Sequence, residues 1–243
     1  MSRIEPSLAT EACRACPIRH RAVCASCEGD ELDRLAAMKS YRSWAAGETI
    51  VLEGERLPFV GSIVTGCATL TRSLQDGRVQ MVGLLMPSDF VGRPGRERAP
   101  YEVAAATDLV LCLFERAAFE RMMVDAPHVG RRLLEMSLDE LDAARDWMLL
   151  LGRKTAREKV ATLLVAILRR ASTADRPLRA DLPLTRDAMA SYLGLTIETV
   201  SRQISALRRD GVIGLDGARG IVCADLAALT VEAGDDGAGA PTD

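Results

Sequence analysis

The feature that most constrains the fold of this 243-residue chain is a change in the spacing of its apolar residues between Phe114 and Phe119. From Tyr41 to Phe114 they form short alternating or continuous runs separated by glycines, which is typical of short β-strands joined by tight turns. From about Phe119 onward they recur every three or four residues, which indicates amphipathic helices. The sequence therefore predicts an α+β protein whose strands precede its helices.

Six apolar runs in the first half carry the strand signal. Asp76-Gly77 lies between two of them and favours a hairpin, because glycine accepts the positive φ that such turns need. Many short strands with regular turns predict a sandwich, a roll or a barrel. The predicted strands are residues 49–53, 60–64, 68–73, 80–86, 101–105 and 109–114.

The helical half contains a long segment, residues 128–151, with an apolar seam. The seam residues follow one another at steps of four, three and seven, as they do in a helix that pairs with a second helix. Arg145 interrupts the seam, and Gly152 predicts a hinge or a helix cap at its end. The segment therefore predicts a dimerisation helix that makes its contacts through Leu134, Leu138, Leu141 and Met148.

Residues 184–207 have the pattern of two short helices joined by a tight turn. Thr185 and Thr196 are suited to cap the two helices, because a threonine hydroxyl can accept a hydrogen bond from the free amides of a first turn. Gly194 lies between the helices, where a tight turn favours a residue without a Cβ. The inner face of the first helix is predicted to be Ala188, Met189, Tyr192 and Leu193.

The second of these helices has an apolar face and a polar face. Val200, Ile204 and Leu207 are spaced so that they face the core. The polar residues fall on another face, which can enter a DNA major groove, and arginine, glutamate and serine can each bond to base edges there. Two arginines near the end of this helix are suited to bind phosphates of the DNA backbone. The predicted DNA contacts are Glu198, Thr199, Ser201, Arg202, Ser205, Arg208 and Arg209.

The surroundings of this helix pair are basic and end in a predicted wing. Between Arg153 and Arg219 there are 13 lysines and arginines against seven acidic residues, although the whole chain has a net charge of −3. That asymmetry suits a nucleic-acid-binding module attached to an acidic body. Residues 212–213 and 220–223 predict the two strands of a hairpin wing. An ordinary helical hairpin with a solvated polar face is the alternative.

Four of the seven cysteines form two Cys-x2-Cys pairs, Cys13 with Cys16 and Cys24 with Cys27. The first ten residues have no apolar segment of an export signal, and no apolar stretch is long enough to cross a bilayer. We therefore expect a cytoplasmic protein, away from the membrane, with reduced cysteines. Clustered thiolates indicate a zinc or iron–sulfur centre, and the spacing alone leaves both open: a four-cysteine zinc knuckle or a 4Fe-4S cluster.

Several of these stretches resemble one family of transcription regulators. Residues 184–202 are similar to the DNA-binding motif of the CRP/FNR superfamily, and the order of β-roll, long helix and winged helix-turn-helix is similar as well. The run Cys-x2-Cys-Pro-Ile-Arg-His-Arg-Ala-Val-Cys, from Cys13 to Cys24, resembles the oxygen-sensing FNR branch, especially its FnrL/FnrN members in alphaproteobacteria. Residues 81–95 and 138–154 also resemble that group.

The resemblance implies a cofactor and its ligands. In the FNR branch three cluster ligands come from the N-terminal run and the fourth comes from the β-roll, where Cys112 has the corresponding place. The implied 4Fe-4S ligands are therefore Cys13, Cys16, Cys24 and Cys112, with Cys27 as the reserve fourth ligand.

The resemblance also implies partners. A homodimer is expected to bind double-stranded DNA at a palindrome of TTGA-type half-sites through Glu198, Ser201 and Arg202, and to contact RNA polymerase. Cyclic-nucleotide members of the superfamily carry a Gly-Glu-Leu segment followed by Arg-Ser or Arg-Thr. Residues 91–100 lack the Gly-Glu-Leu run, so we expect no cyclic AMP binding. No catalytic constellation is recognisable in the sequence, so an enzyme is not expected.

The sequence thus predicts an N-terminal β-roll sensor domain of the double-stranded jelly-roll type, a dimerisation helix and a C-terminal winged helix-turn-helix. Two other functions stay open: a metal-free CRP-like regulator and a zinc-stabilised scaffold protein. Cys67 and Cys223 are expected to be small core residues. Residues 1–12 are expected to be disordered, and residues 172–181 to form a polar linker. The predicted parts are a cysteine-rich segment (1–29), the β-roll (30–126), the dimerisation helix (127–153), the DNA-binding domain (154–232) and a disordered tail (233–243).

Overall fold

The computed structural model of the chain describes residues 13–171 and 177–234. The chain divides into two compact units, Met1–Asp142 and Ala143–Asp243. The first unit contains the strand-rich half, and the second contains the helix-turn-helix segment. Residues 1–12, the first part of the predicted linker (172–176) and residues 235–243 of the predicted tail lie outside the described residues. The predicted start of the disordered tail at residue 233 is wrong, because Ala233 is fully buried.

The first unit is built on two antiparallel sheets, each with four strands in the part of the chain that the structure describes. The turn at Asp76-Gly77 forms the predicted hairpin, with Gly77 at a φ of 85°. This arrangement confirms the predicted α+β class with an N-terminal β-roll. One sheet has the order β1 (Lys39–Trp44), β8 (Leu109–Glu115), β3 (Phe59–Thr65), β6 (Phe90–Val91), and the other has the order β2 (Thr49–Val51), β7 (Glu102–Ala105), β4 (Ala68–Ser73), β5 (Val79–Leu85).

The strand β8 supplies side chains to two separate hydrophobic cores. Leu109, Leu111 and Leu113 belong to the core of the roll, together with residues of both sheets such as Val51 and Val103. The alternate residues of β8 point the other way, because successive side chains of a strand lie on opposite faces. They join a second core, which consists of one face of the first sheet, the cysteine segment and helices.

Three helices contribute to that second core. The first, α1 (Asp30–Met38), has acidic residues in its first turn, where they interact favourably with the helix dipole. The next, α2 (Arg116–Asp125), begins at Glu115, whose carboxylate accepts hydrogen bonds from the amides of Ala117 and Ala118. The third, α3 (Pro127–Arg153), contributes residues from its first turns.

The long helix α3 presents its predicted seam to solvent. It begins at Pro127, where the missing amide costs no hydrogen bond, and it is continuous over 27 residues. It includes Gly152 and ends at Arg153, so the predicted hinge or cap at that glycine is wrong. The exposed apolar side chains on the helix include all four predicted contact residues, Leu134, Leu138, Leu141 and Met148.

The second unit has a buried helix, α4 (Ala156–Ala171), at its centre. Val160, Leu163 and Leu164 of this helix are fully buried or nearly so. Among the helices of the described residues, none has both the length and the apolar character that a bilayer crossing requires. The remaining elements are α5 (Arg186–Leu193), α6 (Ile197–Arg209), α7 (Leu226–Glu232) and a sheet of order β10 (Gly214–Asp216), β11 (Gly220–Cys223), β9 (Leu178–Asp181).

The wing differs from the prediction in two places. Its first strand is Gly214–Asp216 rather than residues 212–213, because the amides of Val212 and Ile213 bond to the carbonyl of Leu207 and close the end of α6. Residues 178–181, predicted as linker, form β9, which pairs with β11 through Ala180 opposite Ile221.

Other differences concern single residues and short strands. The sequence analysis missed β1 and β6, because β1 is mostly polar and β6 has only two residues. In α5 the buried residues include Ala190, whereas Ala188 is only half-buried. Cys223 is buried as expected, but Cys67 is half-buried and is not a core residue.

Candidate functional site

The cysteine segment consists of tight turns held by a few buried apolar side chains. The amide of Cys16 donates to the carbonyl of Cys13 (3.4 Å), and the amide of Cys27 donates to the carbonyl of Cys24 (3.1 Å). Each Cys-x2-Cys pair is therefore one turn of chain. Ile18, Ala22 and Val23 are buried between the pairs and anchor the segment in the second core. The sequence analysis did not identify these anchors, because they stand in a run too short to show a period.

Cys112 lies in the middle of β8, opposite Tyr41 of β1 and Ser62 of β3. Leu111 and Leu113 face the core of the roll, so the Cys112 side chain lies on the other face of the sheet. It is 9% exposed and belongs to the same core as Cys13.

Cys16 and Cys24 pack against that core. The structure thus brings the four predicted ligands to one place, although they come from segments about ninety residues apart.

The four sulfurs lie within electrostatic reach of one another. Burial, together with the like charge that thiolates of the neighbouring Cys16, Cys27 and Cys13 would add, raises the pKa of the Cys24 thiol to about 12. Burial also raises the pKa of Cys112 to about 12, with the Lys39 cation acting in the opposite direction. Such thiols stay protonated at neutral pH unless a metal centre replaces their protons.

Cys27 has different neighbours from the other cysteines of the segment. Its side chain is fully buried, and its Sγ lies within 4.8 Å of a carboxylate oxygen of Glu31 and a ring nitrogen of His128. This grouping was not foreseen, since the three residues come from a loop, from α1 and from α3. The proximity of Cys27 and Glu31, four residues apart, is the only sequence signal for it.

The donor set of Cys13, Cys16, Cys24 and Cys112 fits an iron–sulfur cluster. Four cysteine thiolates are the usual ligands of a 4Fe-4S cluster, and each of them binds a different iron. A single tetrahedral zinc ion instead needs sulfurs about 3.8 Å apart, given a zinc–sulfur bond of about 2.3 Å. Among the described residues, the group whose ligand atoms all lie within 4.8 Å contains one cysteine, Cys27, and is not a four-cysteine set.

The helix-turn-helix has the predicted caps and turn. The Thr185 hydroxyl accepts from the amide of Ala188 (3.1 Å) at the start of α5, and Thr196 accepts from the amide of Thr199 (3.2 Å) at the start of α6. Gly194 ends α5 in the left-handed conformation, with a φ of 61°. The two caps and the turn glycine are therefore present where the sequence predicted them.

The polar face of α6 is open to solvent. Glu198, Arg202 and Ser205 are exposed, and so are Arg208 and Arg209 in the last turn. The opposite face is buried, and it consists of the three predicted residues Val200, Ile204 and Leu207.

Thr199 and Ser201 are the less exposed residues of the polar face. The Thr199 hydroxyl accepts from Arg202 Nη2 (3.5 Å), so half-buried Thr199 acts on the orientation of the arginine. Ser201 is also half-buried. The pKa of Glu198 lies below its ordinary value, because its own backbone amide and the Thr196 hydroxyl bond to its carboxylate. Glu198 is therefore an ionised acceptor at the start of the helix.

The end of α3 within the second unit is joined to the helix-turn-helix. The Trp147 ring stacks on Tyr192 of α5, with the ring centroids 4.1 Å apart, and Trp147 Nε1 donates to the Tyr192 carbonyl (3.4 Å). Lys159 is buried, and its Nζ donates to the carbonyls of Leu151 (3.1 Å) and Leu193 (3.3 Å). The sequence analysis missed both contacts, because neither residue stands in a motif.

Residues 91–100, which lack the Gly-Glu-Leu run, form a turn rich in arginine. Arg98 Nη1 donates to the carbonyl of Gly54 (2.7 Å), so this arginine has a structural partner. Arg116 pairs with Glu97 at 3.3 Å. Arg93 and Arg96 are exposed to solvent.

Comparison with known families finds two matching models. The Crp-like helix-turn-helix domain matches residues 158–231, and the cyclic nucleotide-binding domain matches residues 41–125. The first of these ranges contains α5 and α6 together with the three-stranded sheet of the second unit. The second covers the strands of the roll.

Comparison with individual proteins finds close relatives. The chain is 61% identical over 232 residues to the transcriptional activator protein FnrL of Cereibacter sphaeroides, which covers 93% of this chain and 94% of the relative. It is 36% identical over 207 residues to the nitrogen fixation regulation protein FixK of Bradyrhizobium diazoefficiens, covering 84% and 86%. The solved structure of FixK2 from Bradyrhizobium japonicum matches with a TM-score of 0.73 and 36% identity, over 79% of this chain and 96% of that one.

Proposed function

Because the chain belongs to the CRP/FNR family of transcription regulators, we propose that it is a transcriptional activator whose binding to DNA depends on oxygen. It is a DNA-binding regulator and not an enzyme. In the proposed function the active form is a homodimer on a palindrome of TTGA-type half-sites. Cys13, Cys16, Cys24 and Cys112 hold a 4Fe-4S cluster in that form, and RNA polymerase is the partner.

The observation that carries the oxygen-sensing part is the position of Cys112. This cysteine lies on the face of β8 that meets the cysteine segment, not on the face that lines the roll. A cluster bound there would supply an iron centre that oxygen can oxidise. Ligation by both Cys112 and the N-terminal cysteines ties the segment to the roll, and loss of any ligand frees it.

The cysteine segment also contacts the start of α3, which supports a route from the cysteines to the dimerisation helix. Arg132 Nη2 donates to the carbonyl of Arg21 (2.9 Å), so the position of the segment is coupled to the first turns of the helix. A coupling of about 1–3 kcal/mol is enough to change DNA occupancy five- to hundredfold.

The exposed seam of α3 supports a homodimer. Leu134 is 58% exposed and Met148 is 73% exposed in the single chain, which is unfavourable for large apolar side chains on the same face of a helix. Pairing with the same helix of a second copy buries them. A symmetric dimer then places two α6 helices on half-sites about one DNA turn apart.

The experiment that tests the proposal joins metal analysis with DNA binding. The full-length protein is purified without oxygen, its iron and sulfide are measured, and its affinity for a TTGA-type palindrome is followed by fluorescence anisotropy before and after exposure to air. We expect about four iron and four sulfide per chain. We also expect a brown colour that bleaches in air, and DNA affinity that falls when it does.

Two serine variants provide the matched comparison. Cys112→Ser is expected to lose iron and tight binding to the palindrome, whereas Cys223→Ser, which changes a buried cysteine of the second unit, keeps both. Colourless protein that binds the palindrome equally well with and without air would instead identify a metal-free regulator. Zinc in place of iron, without affinity for the palindrome, would favour the scaffold alternative.

A further inference from the structure

Three potential metal ligands that the proposed cluster does not use lie together at the edge of the cysteine segment. The Cys27 Sγ, a Glu31 carboxylate oxygen and a His128 ring nitrogen all lie within 4.8 Å of one another. Cys27 is fully buried, and the other two side chains are about one quarter to one third exposed. The sulfur and the ring nitrogen are thus shielded, and the group meets solvent on the side of the partly exposed Glu31.

The contact between His128 and Glu31 is close but is not aligned as a hydrogen bond. His128 Nε2 lies 2.9 Å from Glu31 Oε2, yet this nitrogen is shielded from solvent and has no hydrogen-bond partner of acceptable geometry among the described residues. A shielded ring nitrogen without a bonded partner costs free energy. A cation placed between the imidazole, the carboxylate and the sulfur would satisfy all three.

The chemistry of the three groups selects the kind of ion. Thiolate and imidazole favour zinc and similar transition metals over magnesium or calcium, which prefer oxygen ligands. One thiolate, one carboxylate and a neutral imidazole balance the two positive charges of the ion, so the loaded site is neutral. Three protein ligands with an open side are typical of zinc sites in which water takes the fourth position.

We propose that Cys27, Glu31 and His128 form a second metal site that binds one zinc ion, separate from the four-cysteine centre. None of its ligands belongs to the set of Cys13, Cys16, Cys24 and Cys112, so either site can exist without the other.

The site joins the cysteine segment to the first turn of α3. Cys27 is the second member of the second cysteine pair, and His128 is the second residue of the long helix. Arg19 Nη2 donates to the carbonyl of Cys27 (2.9 Å), which fixes the backbone that presents the sulfur. Together with the bond from Arg132 to the carbonyl of Arg21, the ion acts as a clamp between the segment and the dimerisation helix.

The metal content of matched variants tests the proposal. Full-length protein is purified without oxygen, incubated with zinc sulfate alone, desalted, and analysed for zinc and iron by mass spectrometry. We expect one zinc per chain, and its loss in both His128→Asn and Glu31→Gln. The control is His20→Asn, which changes the only other histidine, an exposed residue of the same segment, and keeps its zinc.

Cys112→Ser separates the two sites. If it keeps its zinc while His128→Asn loses it, the second site is supported. Zinc that disappears with Cys112→Ser but persists in His128→Asn belongs to the four-cysteine centre, and this result overturns the proposal. A wild-type protein that retains no zinc after desalting also overturns it.

X-ray absorption at the zinc edge of the wild-type protein identifies the atoms that bind the zinc without any variant. We expect one sulfur at about 2.3 Å and lighter ligands at about 2.0–2.2 Å. A shell of three or four sulfurs contradicts the proposed ligands. Because iron content is measured in the same samples, failure of the second site is distinguishable from failure of the iron–sulfur centre.

Discussion

Arg202 and Arg208 both lie exposed on α6, one in its second turn and the other in its last turn. Their positions predict different roles on DNA. An arginine in the first half of a recognition helix can reach base edges in the major groove, whereas one at its end lies nearer to the phosphates. Alanine substitutions of the two arginines should therefore differ in how the loss of affinity depends on the DNA sequence, rather than in the size of that loss.

For Arg202→Ala we expect a loss of discrimination at one base pair of each half-site. The cost is about 1–3 kcal/mol on the preferred sequence and much less on a site altered at that base pair. Competition binding with a set of single-base variants of the palindrome measures this difference. An equal loss on every sequence would contradict a base-contacting role.

For Arg208→Ala we expect a similar weakening on all sequences. Removing one phosphate contact from each chain also lowers the dependence of affinity on salt, by about one unit of slope per contact. Titrations at several salt concentrations provide the measurement, with Arg202→Ala as the comparison. A change of base preference in this variant would show that the roles of the two arginines had been exchanged.

Buried Lys159 predicts an effect on stability. Its ammonium group bonds to the carbonyls of Leu151 and Leu193, which lack helical partners near the ends of α3 and α5. Lys159→Met keeps the length of the side chain but leaves both carbonyls without this donor. We expect the free energy of unfolding to fall by about 1–3 kcal/mol in urea titrations. Arg169→Met, on the exposed side of the same helix, should change it by less than about 0.5 kcal/mol.

At the scale of the elements, the strand β8 decides what the cysteine site can be. Its alternation sends Leu111 and Leu113 into the roll and Cys112 towards the cysteine segment. A slip of one residue in its pairing with β1 and β3 would exchange the two faces and bury the sulfur among leucines. The register of Cys112 opposite Tyr41 and Ser62 is therefore what makes a four-cysteine set geometrically accessible.

Gly194, in the turn between α5 and α6, and Gly130, inside α3, predict opposite effects for substitution by alanine. Gly194 has a φ of 61°, and an added Cβ would meet the side chain of Leu151 only at an ordinary 3.8 Å. The cost of Gly194→Ala is therefore strain of the backbone, about 1–2 kcal/mol. Gly130, inside α3, leaves room for a methyl group at 3.5 Å from Met123, so Gly130→Ala should be neutral or stabilise by up to about 1 kcal/mol.

Unfolding in urea, followed by circular dichroism, measures both glycine variants. DNA binding adds a second readout, because Gly194 sets the angle at which α6 leaves the turn. Equal stability of the two variants would mean that the turn adapts to a side chain without strain.

At the scale of the whole molecule, the long helix α3 is the element through which a second copy is expected to bind. Leu138 lies in the middle of the exposed seam. Leu138→Glu removes two leucines from a symmetric interface, each worth about 1.5–3 kcal/mol when fully buried. We expect the dimer dissociation constant to rise more than about 100-fold, with a parallel loss of affinity for the palindrome.

Sedimentation velocity under anaerobic conditions tests this prediction. Leu74→Glu is the control, because Leu74 is an equally exposed leucine (53%) next to the hairpin turn of the roll and is not one of the seam residues. A Leu138→Glu protein that stays dimeric would place the subunit contact on another surface. A Leu74→Glu protein that becomes monomeric would also place the subunit contact on another surface.

The sequence by itself determined the order of the parts and the local structure of the helix-turn-helix. The caps Thr185 and Thr196, the turn glycine and the two faces of α6 are all local, since neighbours along one or two turns of helix decide them. The same holds for the hairpin at Gly77 and for the apolar seam of α3. These features are present in the structure where the local pattern put them.

Only the tertiary structure decided which side chains meet across long separations. The pairing of β8 fixed the direction of Cys112, and the packing of Ile18, Ala22 and Val23 fixed where the cysteine segment lies. For the group of Cys27, Glu31 and His128, the four-residue spacing of Cys27 and Glu31 is the only local signal, because His128 comes about one hundred residues later. Strand β9 was missed for a similar reason: its partner β11 lies some forty residues further along the chain. Such contacts depend on strand register and core packing, which no short window of sequence contains.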